Sequence, residues 1–92
     1  MLVVISYDVS DDARRSRVSA ALADLGTRVQ DSVFEIRVDA GRVPAEVARV
    51  EAFMNPEQDS LRVYRLCSRC AGAVERHGSP LAEAHGEGPI VV

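Results

Sequence analysis

The sequence predicts an α+β domain in which two helices cover one face of a single sheet. Three observations predict it. The chain has 92 residues, enough for one hydrophobic core and too few for two. Its opening run, Leu2-Val-Val-Ile-Ser-Tyr, is β-branched and almost wholly apolar, the pattern of a central strand buried on both faces. Downstream, apolar residues recur alternately at helical and at strand spacing, in the order β-α-β(β)-α-β with a short strand to follow.

Each element has its own signals. After the first strand, Ser10 is the expected N-cap of a helix, with Asp11 and Asp12 in the first turn where the helix dipole favours acids. Val18, Leu22 and Leu25 form the apolar stripe of that helix, and Gly26 is its expected end. Residues 28–38 read as strand, with Phe34, Ile36 and Val38 alternating with Glu35 and Arg37. Val33 breaks the alternation and Asp31-Ser32 suits a bulge or kink, so two short strands also fit. Asp39-Ala-Gly-Arg is a turn. A second helix spans 44–54, where Val47, Val50 and Met54 share a face, Pro44 suits the first turn and Asn55-Pro56 ends it. Residues 60–67 form a strand, with Leu61, Val63 and Arg65 on one side. Ala73-Val-Glu-Arg is a candidate short last strand. This order is that of the ferredoxin-like βαββαβ sandwich. The folded unit is expected over 1–78, with a Gly/Pro-rich tail over 79–92. One sheet face then lacks a cover, and so small a chain is expected to bury it in a homodimer.

Composition narrows the class. The chain is 47% apolar and 27% charged, with no apolar run near the ~18 residues of a membrane span. MLVVISYD carries neither a basic leader nor a small-residue cleavage site, so a cytoplasmic protein without membrane attachment is expected. The net charge is −3, which gives no overall basic footprint. All 11 positive charges are Arg, whose planar fork grips phosphate at two points. They are unevenly spread: residues 14–37 hold five arginines against three acids, whereas 75–92 hold one arginine against three acids. The segment after 86 ends in Pro-Ile-Val-Val, which could dock on a partner as an added strand. Cys67 and Cys70 make a single C-x-x-C, read as two reduced cysteines in a tight turn, with a redox pair and a zinc site as the lesser alternatives; a structural zinc site would need further ligands, for which His77 and His85 are the candidates. No phosphate-binding glycine motif, nucleophile elbow or zinc-protease signature occurs.

The candidate chemistry clusters where the first strand meets the first helix. Asp8 ends the strand, a position from which α/β layouts commonly present functional groups. One carboxylate is a poor Mg²⁺ site unless waters, phosphates or a second carboxylate complete the shell, and a two-fold axis beside Asp8 would supply that carboxylate. Arg15 extends the apolar stripe back by one step and is expected on the buried side near Asp8, where it needs a carboxylate or a phosphate. Arg17 lies off the stripe and is expected to be more exposed. Arg14 reads as a surface ion pair or a phosphate contact. Tyr7 is either core or a flank of the site. Phe34 is core by default, with base stacking as the functional alternative.

Three blocks carry a family resemblance: Val4-Ile-Ser-Tyr-Asp-Val-Ser-Asp-Asp-Ala-Arg-Arg-Ser-Arg, then Leu25-Gly-x-Arg-Val-Gln-x-Ser-Val-Phe-Glu, then Asp59-Ser-x-Arg-Val-Tyr-x-Leu-Cys-x-x-Cys. In this order and spacing the chain resembles the small CRISPR-associated nucleases of the Cas-two family, which act in spacer acquisition. The resemblance implies a ferredoxin-like homodimer in which the last strand of each chain joins the sheet of the other. It implies Asp8, with its symmetry mate, as ligand of Mg²⁺ or Mn²⁺, and metal-dependent endonuclease activity on single-stranded RNA or double-stranded DNA. Tyr7, Arg15 and Arg17 match the family's catalytic surroundings; Arg28 and Phe34 match positions after the helix and in the S-V-F block, and with Arg14 they are the nucleic-acid-binding candidates. The Cas-one integrase is the implied partner, and a non-catalytic bridge that holds protospacer DNA between integrase dimers is the alternative function. A toxin-like ribonuclease of the same fold and a small-molecule-sensing domain are further readings, the second leaving the clustered arginines without a purpose.

Overall fold

The opening run forms β1, Leu2–Asp8. The computed structural model describes residues 1–78. Around β1 the other strands assemble: β2 is Gly26–Gln30, β3 is Val33–Arg37 and β4 is Ser60–Leu66. The order is β2-β3-β1-β4, antiparallel at every pairing, so β1 is central as its composition requires. The helices are α1, Asp12–Ala23, α2, Val43–Glu51, and a short α3, Ser68–Gly72. The ferredoxin-like expectation holds.

Strand alternation sorts β1 into two faces. Val3, Ile5 and Tyr7 are buried together with Phe34 and Ile36 of β3. Val18, Ala21 and Leu22 of α1 and Val43 and Val50 of α2 close this core from above. Arg49 of α2 donates to the Ala21 carbonyl at 3.3 Å, which ties the two helices together. On the opposite face Val4 and Ser6 are only half-buried, and their β4 partners Tyr64 and Arg62 are exposed. Double-sided burial of β1 is therefore incomplete in a single chain.

Four local expectations are corrected. Asp11, not Ser10, is the N-cap of α1: its carboxylate accepts from the Arg14 N–H at 2.9 Å, so the helix starts one residue later than the serine would set it. Gly26 does not end α1. It opens β2, where a Cβ would lie 2.1 Å from the Glu35 carbonyl oxygen and 2.6 Å from Ile36 Cγ2. Close approach of two strands, not a left-handed turn, demands glycine there. The second helix hydrogen-bonds as α only to Glu51, although Phe53 and Met54 donate to Val50 and Glu51 three residues back; this tighter turn still lays Met54 on the core. Finally, residues 73–76 form no strand. Ala73 closes the α3 turn, and Arg76 instead reaches Glu35 of β3 at 2.9 Å.

The kink at Asp31-Ser32 is a hairpin turn, with Ser32 at φ 69° and Gln30 opposite Val33, so the two-strand reading of this region is the right one. A register irregularity between Arg28 and Gln30 accompanies it. The Asp39–Arg42 turn continues as a 3₁₀ turn over Ala40–Arg42 directly into α2. The tail 79–92, including its terminal Pro-Ile-Val-Val, lies outside the described residues.

Candidate functional site

The β1 ladder carries Asp8 to the end of the sheet, opposite Ser60 of β4. On the other side the Tyr7 N–H donates to the Ser32 carbonyl at 3.1 Å, so the β2–β3 turn abuts the same strand end. Asp8 is exposed, and its side chain makes no hydrogen bond or ion pair among the described residues. The neighbouring acids are all engaged. Asp11 caps α1, Asp12 pairs with Arg15, Asp31 lies 3.8 Å from Arg28, and Asp59 pairs with Arg14.

Asp59 opens the third of the quoted blocks, and nothing in its sequence spacing marks it as a site residue. Arg14 Nε lies 2.8 Å from Asp59 Oδ2, and the guanidinium also reaches Asp59 Oδ1 and Gln58 Oε1, both at 3.2 Å. The Asn55 N–H donates to Asp59 Oδ2 at 2.8 Å. The Arg14 hydrogen bonds, then the Asn55 N–H, hold the Asp59 carboxyl below its ordinary pKa, and the same contact raises that of Arg14. The signal available in the sequence was a paired Arg and Asp flanking two adjacent elements, which spacing alone cannot join. This contact fixes the start of α1 against the start of β4, on either side of Asp8. It also means that the surface-ion-pair reading describes Arg14, whose fork is already filled.

The other candidates separate. Arg15 is half-exposed rather than buried. It donates to the Val9 and Ser10 carbonyls at 3.0 and 3.4 Å and pairs with Asp12, so it braces the loop between β1 and α1. Arg17 is exposed and without a hydrogen bond or ion pair among the described residues. Arg28 stands 5.5 Å from the Phe34 ring centroid, donates to the Ser19 hydroxyl and stays partly exposed. For two residues burial favours the core alternative. Phe34 is 1% exposed and cannot offer its face to a base, and Tyr7, 5% exposed, stacks on Phe34 at 6.3 Å in the core instead of flanking Asp8. Alternation explains both, because Tyr7 and Asp8 leave the sheet on opposite faces.

The residues fit a divalent cation only in part. Among the described residues no three His, Cys, Asp or Glu side chains converge as metal ligands. Asp8 supplies one hard carboxylate, which suits Mg²⁺ or Mn²⁺ held jointly with waters, phosphates or a second carboxylate. Exposed Arg17 and half-exposed Arg15 lie early in the helix that follows Asp8. A carboxylate for a hard cation followed by arginine forks for phosphate is a combination suited to phosphodiesters.

Comparison with known proteins places the chain in a family. The family model of CRISPR associated protein Cas2 matches residues 1–74. A relative in Rhodospirillum rubrum, a CRISPR-associated endoribonuclease Cas2, is 41% identical over 97 residues, covering 99% of this chain and all of the relative. The solved Cas2 of Streptococcus pyogenes superposes with a TM-score of 0.72 at 31% identity, over 85% of this chain and 100% of that one. A chain from a partial Cas6-RT-Cas1–Cas2 complex superposes at 0.62 with 25% identity, over 82% of this chain and 88% of its own. The chain belongs to the CRISPR-associated protein Cas2 family.

Proposed function

We propose that this protein is a metal-dependent phosphodiester endonuclease of CRISPR adaptation, working as a homodimer with Asp8 from each subunit at a shared cleft. The observation that carries the reading is the state of Asp8: exposed at the end of the central strand and unpaired, while the acids around it are engaged. Both carboxylate oxygens are open to a hard cation. Mg²⁺ or Mn²⁺, when bound, supplies Lewis-acid polarisation of the phosphate and a more acidic attacking water. The chain's own part is positional. The β4 ladder fixes the Asp8 backbone opposite Ser60, Arg17 offers an open fork to a phosphate, and Arg15 holds the loop that joins them. The uncovered sheet face, with Val4 and Val33 half-buried and Tyr64 47% exposed, is the surface through which the dimer forms.

Relatives named endoribonuclease and endonuclease support the activity, and single-stranded RNA and double-stranded DNA are both candidate substrates. The similarity to a chain of a Cas1–Cas2 assembly favours a second reading, in which the dimer bridges the Cas1 integrase and holds DNA without turnover. Labelled duplex DNA and single-stranded RNA, incubated with Mg²⁺, Mn²⁺ or EDTA beside Asp8→Ala, decide between them. Cleavage that needs metal and vanishes in Asp8→Ala supports the nuclease. Cleavage that survives the substitution overturns the assignment of Asp8. No cleavage from an intact dimer selects the bridge.

A further inference from the structure

The endonuclease reading leaves Cys67 and Cys70 unused. They occupy the first turn of α3, both exposed and both free. Cys67 follows β4 directly, and its sulfur accepts the Cys70 N–H at 3.5 Å. Residues three apart in one helical turn fall within the backbone separation that a disulfide spans. Among the described residues no third zinc ligand joins the pair, and His77 lies 3.1 Å from Glu75; the other candidate ligand, His85, lies outside the described residues.

We infer that Cys67 and Cys70 form a reversible dithiol–disulfide pair that exchanges with small-molecule disulfides. Cys67 is the attacking sulfur. Hydrogen bonds from the Cys70 N–H, the Cys70 thiol and the Arg69 N–H lower its pKa, while the same pairing raises that of Cys70. The Cys67 thiolate attacks one sulfur of a disulfide R–S–S–R, forms a mixed disulfide and releases one thiolate. Cys70 then loses its proton and attacks the Cys67 sulfur, closing the internal bridge and releasing the second thiolate. The two cysteines lose two electrons, and R–S–S–R gains them and leaves as two thiols. The bridged loop is short, so the gain in global stability is small and the effect is local. It fixes α3, which with Met1, Leu2, Arg37 and Leu66 lines a cavity of about 330 Å³ and launches the segment that carries Arg76 to Glu35.

The test uses the full chain in mixtures of reduced and oxidised glutathione, quenched with acid, alkylated and read by mass spectrometry. As the oxidised share rises, the doubly alkylated protein should give way to an unalkylated form lacking both thiol hydrogens. Cys70→Ser should retain glutathione on Cys67, and Cys67 should alkylate several-fold faster than Cys70 at neutral pH. Three outcomes overturn the inference: two alkylated cysteines in the most oxidising mixture, a stable glutathione adduct on the native pair, or a bridge between chains in place of the internal one. The wild-type readout stands even where a variant fails to fold, and none of these outcomes depends on nuclease activity.

Discussion

Arg14 and Asp59, 45 residues apart, join the first turn of α1 to the residue that precedes β4 through a 2.8 Å ion pair. The Asp59 side chain is wholly covered, and three donor contacts converge on its two oxygens. The two elements fixed in this way flank Asp8, so the frame of the candidate site rests on this contact.

The contact has a pH signature. Asp59 has a lowered pKa in the folded chain, so the native state binds fewer protons than the unfolded state as pH falls. Its stabilisation is complete above the unfolded value of about 4 and disappears as pH drops through the lower folded value. Asp59→Asn should therefore be less stable than wild type at neutral pH and lose less on acidification. Urea midpoints collected down to about pH 3 measure this, and parallel curves for the two proteins would show that Asp59 carries no such linkage.

Gly26→Ala should disrupt the β2–β3 hairpin. A methyl group cannot sit 2.1 Å from a backbone oxygen, and neither Glu35 nor Ile36 can withdraw without breaking the ladder. Overpacking of this kind costs about 1–3 kcal/mol or more. Gly41→Ala is the control, because its added Cβ meets nothing within 4 Å. Equal denaturation midpoints for the two variants would count against the close approach at Gly26.

The architecture was legible because period and chain length carry it. Val3, Ile5, Phe34 and Ile36 alternate as the core needs, and Val18 and Leu22 fall on one helical face. What escaped was set by tertiary contacts. Two adjacent capping residues, Ser10 and Asp11, are equivalent on propensity, and only the hydrogen bond to Arg14 selects Asp11. Gly26 carries a helix-stop signal, yet its role comes from Glu35 across the hairpin. At the site, Asp8 and exposed Arg17 stood where strand end and helix face put them. Arg15 did not, because a long side chain can curl back to the Val9 carbonyl and leave the apolar face its backbone position suggests. Phe34 shows the limit of a motif, since burial, not residue type, decides whether a ring can stack on a base.

Phe34→Ala should destabilise the fold by about 3–5 kcal/mol, the usual range for removing a buried aromatic side chain. The ring lies in the core, stacks on Tyr7 and carries Arg28 above it. Phe34→Leu should cost less, and its folded fraction should bind nucleic acid as wild type does. Thermal melts and binding titrations on the same samples separate the two roles. A Phe34→Leu protein that folds fully yet binds weakly would restore the stacking role that burial argues against.

Arg17→Ala and Arg15→Ala should differ in kind. Arg17 is exposed and has no hydrogen bond or ion pair among the described residues, so its loss should leave stability within about 0.5 kcal/mol of wild type. If its fork contacts a phosphate, the substitution should weaken binding uniformly across sequences and reduce the slope of log K against log salt by about 1. Arg15 holds the Val9 and Ser10 carbonyls beside Asp8. Its loss should lower the melting temperature and impair cleavage beyond any change in affinity, because the loop that positions the carboxylate is released. Binding isotherms at several salt concentrations, paired with single-turnover cleavage, measure both effects. An unchanged salt slope in Arg17→Ala would place the phosphate contact elsewhere on the surface.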